Sequence, residues 1–363
     1  MNGKTFTNAI NHTHSVHTKQ RGHGVCCSSQ KATYFTSATH NQNYNAHSAH
    51  QDVQIFIWHI ANSKELMIDI QNLSFEYGHK AVYDDFSLRI KDAGIYGLFG
   101  RNGSGKSTLL KIVSGLLFAH SGRVSVCGYA PNERAPDFLA QVYIVPEEFH
   151  LPNITLAQLV SSQAPFYPNF SKAHFDDYIR MFEIPTDKGF ESMSLGQKKK
   201  AVIAFALATH TPILLMDEPT NGLDILGRAQ FKSIMARAEH ATRIVIISTH
   251  QAHDLESLMS HVLFVDSGKL ALAADMATLQ QALSMGVTND VTQLSNVIYQ
   301  ESLGQQVAYV AANSSHQALP IHLELLYKAL SLQKEGVLKA LQHFANQSSN
   351  RDSSHDTKQG GAV

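Results

Sequence analysis

Cysteine is scarce in this chain: there are three in 363 residues, Cys26, Cys27 and Cys127. An odd number, two of them adjacent, gives no disulfide framework, so the fold must rest on a buried core and suits a reducing compartment. An excess of charge of one sign is also missing. Lys and Arg total 29 against 30 Asp and Glu, a formal charge of -1, so no global basic field would draw in nucleic acid or an anionic membrane surface. Apolar runs of the roughly 18 to 20 residues that span a bilayer are absent, and the chain is not expected to cross a membrane by itself. No basic segment leads into an apolar one near the start, and Arg21 is the only arginine in residues 1–66; both points argue against a signal or transit peptide. No internal repeat is visible.

What remains is length for one large domain or two modest ones. Residues 1–66 are rich in Asn, Ser, Thr and His, hold eight of the 21 histidines, and carry only Asp52 and Glu65 as acids. Such a composition reads as a disordered polar extension. Its clustered His12, His14 and His17 have no flanking structure to fix a metal geometry. Regular patterning begins at Met67, a candidate translation start, where Met67-Ile68-Asp69-Ile70-Gln71-Asn72-Leu73 alternates as a half-buried strand does. Strand-like and helix-like segments then alternate through residues 67–275, the expected main domain. Residues 276–345 carry weak strand signals and one amphipathic stretch marked by Leu323, Leu326, Leu330, Leu338 and Leu341, which together read as an accessory region. Residues 346–363 turn polar and Gly/Ser-rich, and a disordered tail is expected there.

Ile95-Tyr96-Gly97-Leu98-Phe99 is a short apolar run, followed at once by Gly100-Arg101-Asn102-Gly103-Ser104-Gly105-Lys106-Ser107. The spacing GxxxxGKS marks a phosphate-binding P-loop. Beyond it Leu109, Ile112, Val113, Leu116 and Leu117 recur at helical spacing, so a strand delivers the loop and the loop opens a helix. Glycines let successive backbone N–H groups turn inward around a polyphosphate, and the helix N-terminus adds positive potential. Gly100, Asn102, Gly103, Ser104, Gly105 and Thr108 are candidate nucleotide contacts; Lys106 would reach the β and γ phosphates and Ser107 a bound Mg²⁺.

Pro212-Ile213-Leu214-Leu215-Met216 is an unbroken apolar run that ends in Asp217 and Glu218. It suits a strand buried on both faces of a parallel sheet. Ligands of open α/β sheets bind beyond the C-terminal ends of the strands, which brings both acids beside the phosphates. Asp217 is placed to hold Mg²⁺ through water, and Glu218 to act as general base on the attacking water. A third buried run, Ile244-Val245-Ile246-Ile247, leads through Ser248-Thr249 to His250, a candidate γ-phosphate contact.

Read together, these residues resemble the ATP-binding cassette family over most of Met67–Lys269. Met193-Ser194-Leu195-Gly196-Gln197, followed by basic Lys198 to Lys200, is similar to the family's LSGGQ signature. Asn221-Gly222-Leu223-Asp224 resembles its D-loop, His250 its switch histidine, and Tyr77 sits where the family stacks an aromatic ring on adenine. The resemblance implies an α/β P-loop NTPase cassette with a mostly parallel central sheet, a small antiparallel β subdomain and a helical signature subdomain. It implies ATP and Mg²⁺ as cofactors, Ser107, Asp217 and Glu147 toward the metal, Glu147 also toward ATP, and Glu218 and His250 as catalytic residues. Ser194, Gly196 and Gln197 would reach the ATP of a second cassette, with Asp224 beside them, in a homodimer or heterodimer.

The same resemblance, in pattern most like bacterial ABC-2 type exporters, implies an ATPase subunit at the cytoplasmic face of the cell membrane. It would be held there by a separate integral membrane permease, with no nucleic acid partner. The chain departs from the family pattern at Met193 and Leu195, and at Glu147, which follows Pro146 where the family commonly has glutamine. Glutamate there adds negative charge near the triphosphate and loses an amide donor. The segment 148–189 corresponds to the helical subdomain that docks on membrane helices, and its Phe166-Tyr167-Pro168 reads as core. A soluble cassette protein acting on ribosomes or nucleic acid is an alternative, but such relatives generally carry two cassettes or a long coiled coil. A regulatory cassette without turnover is another, against which the intact Lys106, Asp217, Glu218 and His250 count.

Overall fold

The computed structural model describes residues 66–237, 240, 242–250, 255–290, 292, 294–315 and 317–356. All but the last residue of the polar extension expected at 1–66, including Cys26, Cys27 and its histidines, lies outside the described residues. The chain runs through β1 (Ile68–Tyr77), β2 (Lys80–Ile90), β3 (Gly94–Phe99), α1 (Lys106–Val113), β4 (Ser121–Val126), α2 (Pro136–Leu139), β5 (Val142–Val145), α3 (Leu156–Gln163), α4 (Lys172–Met181), α5 (Leu195–Ala208) and β6 (Ile213–Asp217). It continues with α6 (Ile225–Met235), β7 (Ile244–Ser248), β8 (His261–Asp266), β9 (Lys269–Asp275), α7 (Met276–Ala282), β10 (Leu283–Thr288), β11 (Val297–Leu303), β12 (Gln306–Ala312) and α8 (Leu323–Asp356).

The three apolar runs of the sequence make the centre of a six-stranded sheet ordered β5-β6-β7-β3-β8-β9, in which only β9 runs antiparallel. Strands β3, β6 and β7 are buried at every residue. Because side chains alternate across a strand, each run feeds two cores. Leu214, Met216, Val245 and Ile247 face one, with α4, α5 and α8. Ile213, Leu215, Ile244 and Ile246 face the other, with α1 and the antiparallel sheet β2-β1-β4. The mostly parallel sheet, small antiparallel sheet and helical segment implied by the resemblance are therefore all present. Register aligns the strand ends: Asp217 of β6 pairs with Ser248 of β7, and Ser248 pairs with Leu98 of β3. The P-loop and both acids thus leave the sheet along one edge.

Two elements differ from the sequence reading. The periodicity carries the helix after the P-loop on to Leu117, yet α1 stops at Val113. Gly115 takes φ 70°, and a Cβ there would lie 2.5 Å from the Pro131 carbonyl oxygen. The Gly115 N–H bonds the Ile112 carbonyl and the Leu116 N–H that of Lys111, a Schellman termination that a left-handed glycine permits. At the other end, α8 runs to Asp356 with a kink at Gln333, so the tail expected from residue 346 is helical over its first part. The first glycine after Gly336 is Gly360, and extending an existing helix through polar residues needs no new nucleus.

The accessory region forms a second antiparallel sheet, β10-β12-β11. It is joined to the main domain by burial rather than by a linker. Leu323, Leu325, Leu326, Ala329 and Leu330 of α8 share the core with Phe264 of β8, Tyr327 stacks on Phe264 at 5.7 Å, and the Leu323 N–H donates to Glu256 at 2.7 Å.

Candidate functional site

The loop after β3 wraps its own lysine. Lys106 donates from Nζ to the carbonyls of Gly100 at 2.8 Å and Arg101 at 3.2 Å, which holds a buried ammonium at the mouth of the loop. Burial lowers its pKa, while Glu218, Asp217 and Glu147 act in the opposite direction. Gly105 precedes the helix at φ 106°, and a Cβ there would meet the Tyr83 hydroxyl at 2.5 Å. That hydroxyl donates to the Gly105 carbonyl at 2.8 Å, so β2 clamps the loop from below. The Ser104 hydroxyl is buried without a hydrogen-bond partner.

Opposite the loop stand the two acids. Asp217 and Glu218 are both buried, and Asp217 accepts a short hydrogen bond from the Ser248 hydroxyl. Glu218 adopts φ 45°, its N–H donating to the Ser248 carbonyl at 3.0 Å. His250 reaches the Glu218 carboxylate, Nδ1 to Oε1, at 2.9 Å. Asn102, Gly103, Gly105, Lys106, Ser107, Thr108, Glu147, Asp217 and Glu218 line one cavity of about 380 Å³, with Tyr77, Lys80 and Val82 as its outer wall. Tyr77 is half exposed, sits edge-on to Phe75 at 4.9 Å, and its hydroxyl lies 3.5 Å from the Thr108 hydroxyl. The acceptors and the cation therefore converge on a single polar hollow at the sheet edge.

The remaining sequence candidates lie apart from that hollow. Ser194 caps α5: its hydroxyl accepts from the Gln197 N–H at 3.2 Å, and the Gln197 side chain accepts from the Ser194 N–H at 3.0 Å. This capping box occupies Gln197 within its own helix. Met193 is buried in the core while Leu195 is exposed, so the two departures in the signature face opposite ways. Gly196 passes close to the Gly222 carbonyl, which would be 3.3 Å from an added Cβ. Asp224 caps α6 through the Gly227 N–H at 2.8 Å. Glu147, unlike these, belongs to the wall of the hollow; it is exposed and accepts from Asn221 Nδ2 at 3.0 Å. Phe166, read as core, is 68% exposed, whereas Tyr167 packs on Phe205.

The family pattern described as ABC transporter matches residues 83–221. Over 217 residues the chain is 30% identical to the ABC transporter ATP-binding protein YtrB of Bacillus subtilis (strain 168), covering 59% of this chain and 74% of that one. The chain belongs to the ABC transporter family. It is also 29% identical over 208 residues to the bacitracin transport ATP-binding protein BcrA of Bacillus licheniformis, 56% of this chain and 68% of that one. A solved ATP binding subunit of an ABC transporter shares the fold at TM-score 0.54 and 24% identity, over 59% of this chain and 92% of that one. In this ABC transporter ATP-binding subunit, long-range bonds that no sequence motif marked hold the motif residues in place. Tyr83, Ser248, Lys199 and Asn221 each bond a motif residue across the fold. Of these, Lys199 carried a signal as part of the basic run after the signature and Asn221 as the first residue of the segment resembling the D-loop.

Proposed function

We propose that this ABC transporter subunit binds ATP with Mg²⁺ in the hollow between Lys106 and Glu218 and hydrolyses it, as one cassette of a dimer that drives a separate membrane permease in the export direction. The carrying observation is the convergence, at the C-terminal ends of β3 and β6, of a buried ammonium and two buried carboxylates on one cavity, with His250 beyond β7 bonded to one of those carboxylates. The residues present fit the ligand. The Lys106 ammonium, bonded to loop carbonyls at the wall of the hollow, is a donor that a polyphosphate would satisfy. Ser107, Asp217 and Glu147 would hold Mg²⁺, which supplies neutralisation of phosphate charge when bound. Tyr77 offers its ring to adenine at the rim. Glu218 takes the proton of the attacking water, and the His250 imidazole keeps its carboxylate oriented.

Two surfaces support the assembly. Leu195 is 67% exposed beside Ser194, and Ile225 is 90% exposed beside Asp224, an apolar pair that a second cassette would cover. A groove of about 730 Å³ lined by Leu116, Tyr143, Gln163 and the exposed Phe166 lies against the segment 148–189, where the permease would dock. No helix among the described residues is long and apolar enough to cross a membrane. The test is direct: the purified chain should bind ATP and release phosphate, and Lys106→Ala should lose both. A wild-type chain that neither binds nor hydrolyses ATP would refute the reading.

A further inference from the structure

Lys199 is 3% exposed, on the helix whose first turn carries Ser194 and Gly196. Its ammonium donates at 2.7 Å to the main-chain carbonyl of Glu218. With Glu147, Asn221, Gly222 and Leu195 it lines a second cavity of about 400 Å³. Glu147 belongs to the walls of both this cavity and the P-loop hollow, and Asn221 pins one of its carboxylate oxygens. Both buried ammonium groups therefore border the cavities that Glu147 joins, Lys106 from the loop and Lys199 from the signature helix, where Glu148 adds a further acid to the second cavity. Burial lowers the Lys199 pKa, and the opposing influence comes first from Glu147, then from Glu218 and Asp217.

Glutamate at position 147 adds a negative charge where the family commonly carries a neutral amide, and a polyphosphate must enter beside it. An uncompensated carboxylate there would repel that ligand, and a cation bordering the same cavity offsets it. We propose that Lys199 is a positioning residue that offsets Glu147 and fixes the backbone of Glu218, so that this cassette accepts a triphosphate despite its extra acid. Seated on α5, the same side chain links the subunit's own hydrolytic site to the signature turn that would face a second cassette. The inference rests on the ATP-binding reading of the hollow.

A four-protein comparison tests it: wild type, Lys199→Gln, Glu147→Gln and the double variant, each measured for ATP affinity and for melting temperature without nucleotide. Lys199→Gln should weaken ATP binding by roughly tenfold when Glu147 is present and by less than about twofold when it is introduced into Glu147→Gln, a coupling of the size found within one hydrogen-bond network, here Lys199 and Asn221 on the Glu218 carbonyl and Asn221 on Glu147. The unliganded melting temperature should fall in the single Lys199 variant and recover in the double one. If Lys199→Gln cannot be purified, recovery of the double variant supports the pairing and equal failure of both overturns it. Equal losses of affinity with and without Glu147→Gln would also overturn it while leaving the ATP site intact; a wild type that binds no ATP would instead remove both readings.

Discussion

Glu218 combines a buried carboxylate with a left-handed backbone, φ 45°, a conformation that costs a non-glycine residue about 1–3 kcal/mol and persists only where its surroundings impose it. Here they do: the Ser248 carbonyl takes its N–H and Lys199 its carbonyl, so the side chain leaves β6 in one direction, toward His250. Glu218→Gln keeps that shape and removes the base. Turnover should fall on the order of 10² to 10⁴ while ATP affinity is retained; a kcat within about tenfold of wild type would reject Glu218 as the base. The GxxxxGKS spacing and the two acids at a strand end could be read directly, because each motif is local and its chemistry depends on neighbours in sequence. What Ser248, Asn221 and Tyr83 bond to could not. They meet their partners 31, 74 and 22 residues away, and no spacing rule reports a contact made by sheet register or by a strand passing under a loop.

At the scale of elements, continuous apolar runs announced β3, β6 and β7, since a strand buried on both faces has no alternation to lose. The sheet β10-β12-β11 was faint because its strands are half exposed and form no continuous apolar run, and the end of α1 was misplaced because Gly115 outweighs the leucines beyond it. One junction left no trace in the sequence. Between α6 and β7, His240 is fully buried, its Nδ1 2.5 Å from Arg243, beside the seam where Arg237 pairs with Asp177 of α4 and His174 meets His210 at 2.6 Å. Burial first, then Arg243, His210, Arg237 and His174, hold the His240 pKa well below its ordinary 6.5. The folded chain therefore keeps this ring neutral while the unfolded chain takes up a proton, and stability must fall as pH drops below about 6.5, by up to about 1.4 kcal/mol per pH unit. Melting temperatures from pH 7.5 to 5.5 should decline more steeply for wild type than for His240→Gln. Parallel slopes would show that the ring is not titrating on unfolding.

For the whole molecule, the residues proposed for hydrolysis and the signature-like turn sit in one chain but do not line one cavity: Ser194 and Gly196 lie at the start of α5, while Lys106 and Glu218 enclose the hollow. A second cassette would bring its own signature to this hollow and cover Leu195 and Ile225. Glu218→Gln, unable to complete hydrolysis, should accordingly elute as a dimer with ATP and as a monomer without it; a nucleotide-loaded monomer would count against a shared site. Opening and closing such a dimer would do no transport unless another protein followed the motion, and the groove around Phe166 is the place proposed for that partner. An aromatic side chain 68% exposed at the rim of a groove with Leu116 and Tyr143 suits an apolar helix end better than water. The chain should therefore sediment with membranes, and detergent extraction should recover a multi-spanning protein with it at near-equal stoichiometry. Phe166→Glu should release it to the supernatant while leaving ATP binding at Lys106 unchanged, because the groove and the hollow share no lining residue. Wild-type protein found wholly in the supernatant, or sedimenting with ribosomes in a nucleotide-dependent way, would overturn the permease reading and favour a cassette that acts on soluble machinery.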